Sequence, residues 1–339
     1  MEKKYVISFL ISFLTLALII FTFVTWANPN RVTPMPWSIE FTADRNMAFK
    51  KFSLIKGNTA YTDLIVGSST SEVFVPQMIE ELYGVKSFLG GTGGAKTAYR
   101  LAQINYAIKN NPNLKRVIYV VDLFEFQGSG LDTHSYYQPA IMDEVPKVIR
   151  AQIPSPDITS RIQDFFSEAA ISSSFKTLKD YRKFKKGQYQ SQFKNDGTTE
   201  KSMVVVDHKE DIEPRVLRIA RAYEPTYKNL TQLDPVVIET FKEVARTAES
   251  QNIEIYFIIT PWHSLFYEHF KDDLKRNNIY SQWIEFIKGL SHTNIKVIDF
   301  SYPYSKEKGI GDKKEFWHDG VHFSHKSAEI ILNEIYRAK

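Results

Sequence analysis

The sequence predicts an α/β protein: a three-layer αβα domain on a five-stranded parallel sheet, with a largely helical insertion and one preceding transmembrane helix. Three observations carry this. Short apolar runs that end in Gly/Ser turns alternate with segments of helical periodicity, which is the pattern of parallel strands covered on both faces. The alternation breaks over 127–235 and then resumes. An uncharged run from Tyr5 to Ala27 precedes everything else.

The N-terminal run is rich in Leu, Ile, Phe and Val. At about 1.5 Å per residue, some 20 residues span the roughly 30 Å hydrocarbon core of a bilayer. Lys3 and Lys4 precede the run and the next basic residue is Arg31. That asymmetry predicts a cytoplasmic N-terminus and places the rest of the chain outside the cytoplasm. A cleaved signal peptide is the alternative, because Thr25-Trp26-Ala27 offers a small-x-small site. A buried core helix fits poorly, since the run is apolar all round. Residues 1–30 are thus read as tip and anchor. Residues 31–60 are read as a linker with short helical pieces, kept extended at its start by Pro29, Pro34 and Pro36.

Residues 61–339 form the main domain. Leu64-Ile65-Val66 reads as a first buried strand running into the tight turn Gly67-Ser68-Ser69. Pro76 opens a short helix with Met78, Ile79 and Leu82 inward. Val85 to Leu89 is a second strand, ending in Gly90-Gly91-Thr92-Gly93-Gly94. Ala98, Leu101, Ile104 and Ile108 mark a helix that Pro112 stops, and Val117 to Val121 is a third strand. After the insertion come a helix over Val236 to Ser250, a strand over Ile253 to Ile259, a helix over 264–288 and a strand over Ile295 to Ile298. The last helix starts near Ser324, a capping residue, with Ala328, Ile331, Leu332 and Ile335 buried.

Composition narrows the function. The net charge is +4 and no nucleic-acid motif is present. The absence of cysteine removes disulfides, zinc-thiolate sites and cysteine nucleophiles. Chemistry therefore falls to three features that lie just past strand ends, where parallel sheets place their sites. The first is Ser69, whose oxygen would lie near a helix N-terminus; small residues at such turns are also common for steric reasons. The second is the glycine cluster at 90–94, whose backbone N–H groups can approach an oxyanion or a phosphate. It does not form a P-loop, because no Gly-Lys-Ser/Thr ends it. The third is Trp317-His318-Asp319-Gly320-Val321-His322-Phe323. Asp319 and His322 are three apart, so one turn can aim both side chains into one cleft, where a carboxylate fixes the tautomer of an imidazole base. The bland alternative is a helix-capping aspartate.

The order of these blocks resembles the SGNH (GDSL-like) hydrolase family, over about 63–126 and 236–339. The resemblance implies a flavodoxin-like sheet. It makes Ser69 the nucleophile, with Ser68 in place of the family's aspartate. It makes Gly93 the oxyanion glycine, with Phe88 where an asparagine would precede it. It pairs Asp319 with His322. The family's third block carries an asparagine, whereas here strand three runs into Asp122-Leu123-Phe124.

The single anchor and altered third block look most like the alginate O-acetylation and teichoic-acid D-alanyl transfer proteins. The resemblance thus implies an extracytoplasmic serine esterase or O-acyltransferase for a cell-envelope polysaccharide or other acyl-carrying substrate. It would work beside a multi-pass membrane O-acyltransferase. Ser69 would attack the acyl donor, His322 would take its proton, and the N–H groups of Ser69 and Gly93 would hold the oxyanion. No cofactor or metal is called for. Two alternatives stay open: a non-catalytic assembly protein that binds the envelope polymer, and a lipase or thioesterase.

Weaker signals complete the reading. Asp122, His263 and Trp317 stand where they could meet substrate. Residues 176–201 carry eight Lys or Arg against three acidic residues, interleaved with aromatics; they suit an anionic polymer, lipid headgroups or a plain solvated helix face. His318, Asp319, His322 and His325 invite a metal reading, but Gly320 and the helix start should make their directions diverge.

Overall fold

The computed structural model describes residues 2–28, 37–39, 41, 47–127, 142–152, 158–199 and 210–337. Arg31 and the three linker prolines, and residues 128–141, 153–157 and 200–209 of the expected insertion, lie outside these. Five strands form the sheet: β1 (Asp63–Val66), β2 (Ser87–Leu89), β3 (Arg116–Val121), β4 (Glu254–Ile259) and β5 (Ile295–Asp299). All pair in parallel, in the order β2-β1-β3-β4-β5. This is the doubly wound order with its reversal between β1 and β3, and a crevice opens outside the strand ends at such a reversal.

Both faces of the sheet are covered, which explains the unbroken apolar runs. Side chains alternate along each strand. Leu64, Val66, Val117, Tyr119, Val121, Ile255, Phe257 and Ile259 enter one core. Ile65, Ile118, Val120, Tyr256 and Ile258 enter the other. The first core is covered by α2 (Met47–Gly57), α4 (Thr97–Asn110), α8 (Ile212–Tyr227), α9 (Pro235–Gln251), α10 (Ser264–Arg276) and α11 (Ile279–Lys288). The second is covered by α3 (Pro76–Tyr83) and α13 (His325–Tyr336). Short helices α5 (Lys147–Arg150) and α12 (Tyr304–Glu307), and the pair α6 (Ile158–Phe166) and α7 (Glu168–Lys185), complete the described α-helices.

Helix α1 (Glu2–Ala27) is long and apolar enough to cross a membrane, with a mean hydropathy of 2.6 over Lys3–Ala27.

Several elements depart from the sequence reading. The helix expected over 264–288 is two helices, because Asn278 takes a left-handed backbone (φ 53°), which asparagine tolerates better than most residues. Leu82, expected inward, is exposed on the short α3, while Ile79 fills its inner side. Ser324 stands at the N-cap of α13, but its hydroxyl donates to the Glu315 carbonyl at 2.6 Å instead of accepting from the helix. Residues 47–57, read within the linker, form α2, whose Phe52 and Ile55 join the main core.

Candidate active site

Ser69 follows β1 and His322 precedes α13, 253 positions later, yet Ser69 Oγ stands 2.7 Å from His322 Nε2. His322 Nδ1 lies 2.8 Å from Asp319 Oδ2. The carboxylate fixes the tautomer: Nδ1–H donates to Asp319, so Nε2 is the atom that accepts from the serine hydroxyl. Asp319 also accepts from the backbone N–H groups of Val321 (2.9 Å) and His322 (2.8 Å), through Oδ1.

Burial by itself would raise the Asp319 carboxyl. The hydrogen bond and charge of His322, with these two amides, outweigh it and hold the carboxyl below its usual range. Burial likewise opposes charge on His322. The hydrogen bond and charge of Asp319, then the charges of Asp122 and Glu72, outweigh it and raise the imidazole above its ordinary 6.5.

Two loops present these groups. The serine opens a three-residue 3-10 turn, Ser69–Ser71, with Ser68 as its N-cap. Ser68 Oγ donates to Asp122 Oδ2 at 2.6 Å, and Thr70 Oγ1 reaches the same carboxylate at 3.0 Å. Asp122 follows β3, so the sheet's reversal point brings both loops together. Its amide donates to Glu125 Oε1 at 2.8 Å, and the same oxygen accepts from Arg100 at 2.5 Å. Arg100 and Glu125 are both fully buried. Burial pushes the Glu125 carboxyl up to about 7, against the pull of Arg100. Four donors favour its charged form: Arg100, the Asp122 amide, Thr97 and Tyr119.

The glycine cluster packs directly on the serine turn. A Cβ at Gly91 would fall 1.8 Å from Ser71 Oγ, so only glycine permits this approach. The amides of Gly90 and Gly91 donate to the Ile65 carbonyl, and that of Thr92 to Gly67. Gly93 lies against the nucleophile: a Cβ built there would stand 3.9 Å from Ser69 Cβ.

The 317–323 loop is closed by its own backbone. His318 N–H donates to His322 O at 2.8 Å, and Trp317 pairs with Phe323 as an antiparallel bridge. His263 N–H donates to Gly320 O at 3.0 Å.

The remaining sequence candidates occupy supporting places. His263 is buried; its Nδ1 accepts from the Leu265 amide and its Nε2 faces Asp312 O at 3.1 Å, while its ring meets Trp317 edge-on. Burial lowers its pKa. Trp317 is buried and donates through Nε1 to Gly311 O at 2.8 Å. Asp122 is buried too, with its oxygens taken by the hydroxyls beside Ser69. Among the seven candidate positions, the structure brings Ser69, Gly93, Asp319 and His322 to one rim, with Asp122 beneath them, whereas His263 and Trp317 brace the loop from behind.

Sequence reasoning missed Arg215. It lies on α8, is 4% exposed, and donates to the His318 carbonyl; burial lowers its pKa, with the nearby Asp319 charge opposing the shift only in part. The signal was present: Arg215 falls on the apolar stripe formed by Ile212, Val216 and Ile219. A cation on a buried stripe needs a partner. It also missed Arg100 and Glu125, whose pairing across 25 positions has no local signature.

No family model matches this chain, and no curated protein matches it. Among solved structures, a protein of Streptococcus pneumonia described as a candidate platelet activating factor is 11% identical, with a TM-score of 0.40 over 86% of this chain and 92% of that one. A likeness this low leaves the fold and the site to rest on their own geometry.

Proposed function

We propose that this chain is a serine-dependent esterase or O-acyltransferase of the SGNH type that works through an acyl-Ser69 intermediate. The observation that carries the reading is the unbroken relay Ser69–His322–Asp319, at 2.7 and 2.8 Å, assembled from opposite ends of the domain. Ser69 Oγ attacks the acyl carbonyl as its proton passes to His322 Nε2. Asp319 stabilises the imidazolium. The tetrahedral oxyanion forms on the side of Ser69 and Gly93. His322 returns its proton to the leaving oxygen as the donor bond breaks. A second hydroxyl, from water or from a sugar, then gives its proton to His322 and attacks the ester carbonyl; the acyl–Oγ bond breaks as His322 returns that proton to Ser69 Oγ, restoring the free serine. A preorganised oxyanion donor contributes about 3 kcal/mol in such sites.

α1 is read as an uncleaved anchor with Lys3 and Lys4 on the cytoplasmic side, which sets the catalytic domain outside the cytoplasm. Its length and composition support a membrane span, and the orientation follows from the position of the two lysines. By resemblance, the enzyme acts on a cell-envelope polysaccharide or other polymer, with a sugar hydroxyl as acceptor in the transferase case, beside a multi-pass membrane O-acyltransferase.

Purified full-length protein in detergent should release nitrophenol from a short-chain nitrophenyl ester, and Ser69→Ala should not. Equal release by both variants removes Ser69 as the nucleophile.

A second reading, a non-catalytic polymer-binding protein, draws on the carboxylates of Asp122 and Glu72. Both add negative potential at His322, close to where an oxyanion would form. A folded protein that binds polymer and turns over no ester would favour it.

A further inference from the structure

Helices α6 and α7 pack against the exit end of α1. Phe21 meets Phe165 in a tilted ring contact with centroids 5.1 Å apart, and Phe23 meets Phe175 likewise at 4.7 Å. Val24 and Ala27 are buried there. The chain then folds back on the same end: Ile39 N–H donates to Trp26 O, Ser38 Oγ donates to Thr25 O, and Ile39 and Phe41 pack on Leu178 and Tyr181 of α7. From Phe21 to Ala27 the helix rises about 9 Å, the last part of an apolar run of about 34 Å. A bilayer threaded by α1 would therefore bring its exit-side headgroups level with α6 and α7.

The composition of that surface matches such a layer. Ile162, Phe166, Phe175 and Phe184 are 41–60% exposed, an unusual concentration of large apolar side chains for a solvated face. Trp26 and Trp37 are exposed beside them, at the level where interfacial tryptophans sit. Lys179, Arg182, Lys183 and Lys186 surround a groove of about 270 Å³ floored by Phe175 and Leu178. A plain basic helix face explains the cations but not the exposed aromatics among them. A membrane surface explains both, because apolar side chains enter the acyl boundary while cations meet phosphate.

We propose that α6 and α7 form a second membrane contact, seated on anionic phospholipid headgroups of the bilayer that α1 enters. The contact rests on the reading of α1 as a span. It would turn a single tether into a two-point attachment and hold the Ser69 rim at a fixed height and orientation above the bilayer.

The chain has no cysteine, so one introduced cysteine gives one spin label. Full-length protein would be reconstituted into phosphatidylcholine vesicles with and without phosphatidylglycerol, labelled in turn at Leu14→Cys, Phe175→Cys and Leu217→Cys. In anionic vesicles, labels 14 and 175 should be more accessible to oxygen than to a water-soluble nickel chelate, and label 217 the reverse. Adding Lys179→Glu, Arg182→Glu and Lys183→Glu should move label 175 into water and leave label 14 in place.

Label 14 in the bilayer with label 175 in water overturns the second contact alone. Label 14 in water overturns the span and this proposal with it. Neither outcome touches the hydrolysis test of Ser69. Shielding of label 175 by soluble polygalacturonate, and not by anionic lipid, would reassign the surface to a polymer. Insensitivity of label 175 to the three charge reversals overturns headgroup recognition.

Discussion

The two halves of the candidate site are held in different ways. The serine half is built into the sheet. Ser68 and Thr70 bracket the nucleophile and bind Asp122, whose amide rests on Glu125, and Glu125 is locked to Arg100. Every link lies at the end of β1 or β3 or on α4, and the network is buried. The histidine half is a loop closed on itself and fastened from outside by Arg215 of α8 and by the His263 amide. The geometry of the serine is thus inseparable from the stability of the fold. The geometry of the imidazole depends on a few added contacts. Substitutions in the buried network beneath Ser69 should unfold the protein, and substitutions in the second half should slow it while it stays folded.

The largest effect tests the nucleophile common to both halves. Ser69→Ala should lower kcat by about 10⁵- to 10⁶-fold with the melting temperature unchanged, measured by ester hydrolysis beside thermal denaturation. Asp319→Asn should cost about 10⁴-fold, because the imidazole loses the partner that fixes its tautomer.

The sign of the pH dependence follows from the same pair. His322 must be neutral to accept a proton, and Asp319 raises its pKa above 6.5. The wild-type rate should therefore rise with pH through a midpoint above 6.5. The residual Asp319→Asn rate should rise through a lower one. A profile with the same midpoint in both would disconnect the carboxylate from the base.

A smaller effect separates the halves. Arg100→Met strands a buried carboxylate and should lose about 3–5 kcal/mol of stability in urea titration. Arg215→Ala should leave stability nearly intact and lower kcat by up to about 100-fold, the effect of a misplaced base. A stability loss at Arg215 comparable with that at Arg100 would erase the contrast.

Much of the sheet was legible because its signals are local. Apolar runs that end in Gly67-Ser68-Ser69 and in the 90–94 glycines mark parallel strands without knowledge of their neighbours, and the strand over 254–259 falls within the expected 253–259. Asp319 and His322 were legible as a pair because three positions separate them. What escaped is non-local. Nothing in the sequence around Arg215 names a carbonyl at 318, and nothing near Asp122 states that it would bind hydroxyls 52 and 54 positions away. The helix break at Asn278 was readable from the Asn277-Asn278 pair but was masked by the strong apolar periodicity on both sides.

The most direct measurement is labelling of the folded full-length protein with a fluorophosphonate, with the modified residue identified by mass spectrometry. One label per chain should appear, on Ser69, at a rate that rises with pH through a midpoint above 6.5 and is lost in His322→Ala. Folded protein that takes no label, takes it on another residue, or reacts equally fast without His322 would contradict a serine–histidine–aspartate relay.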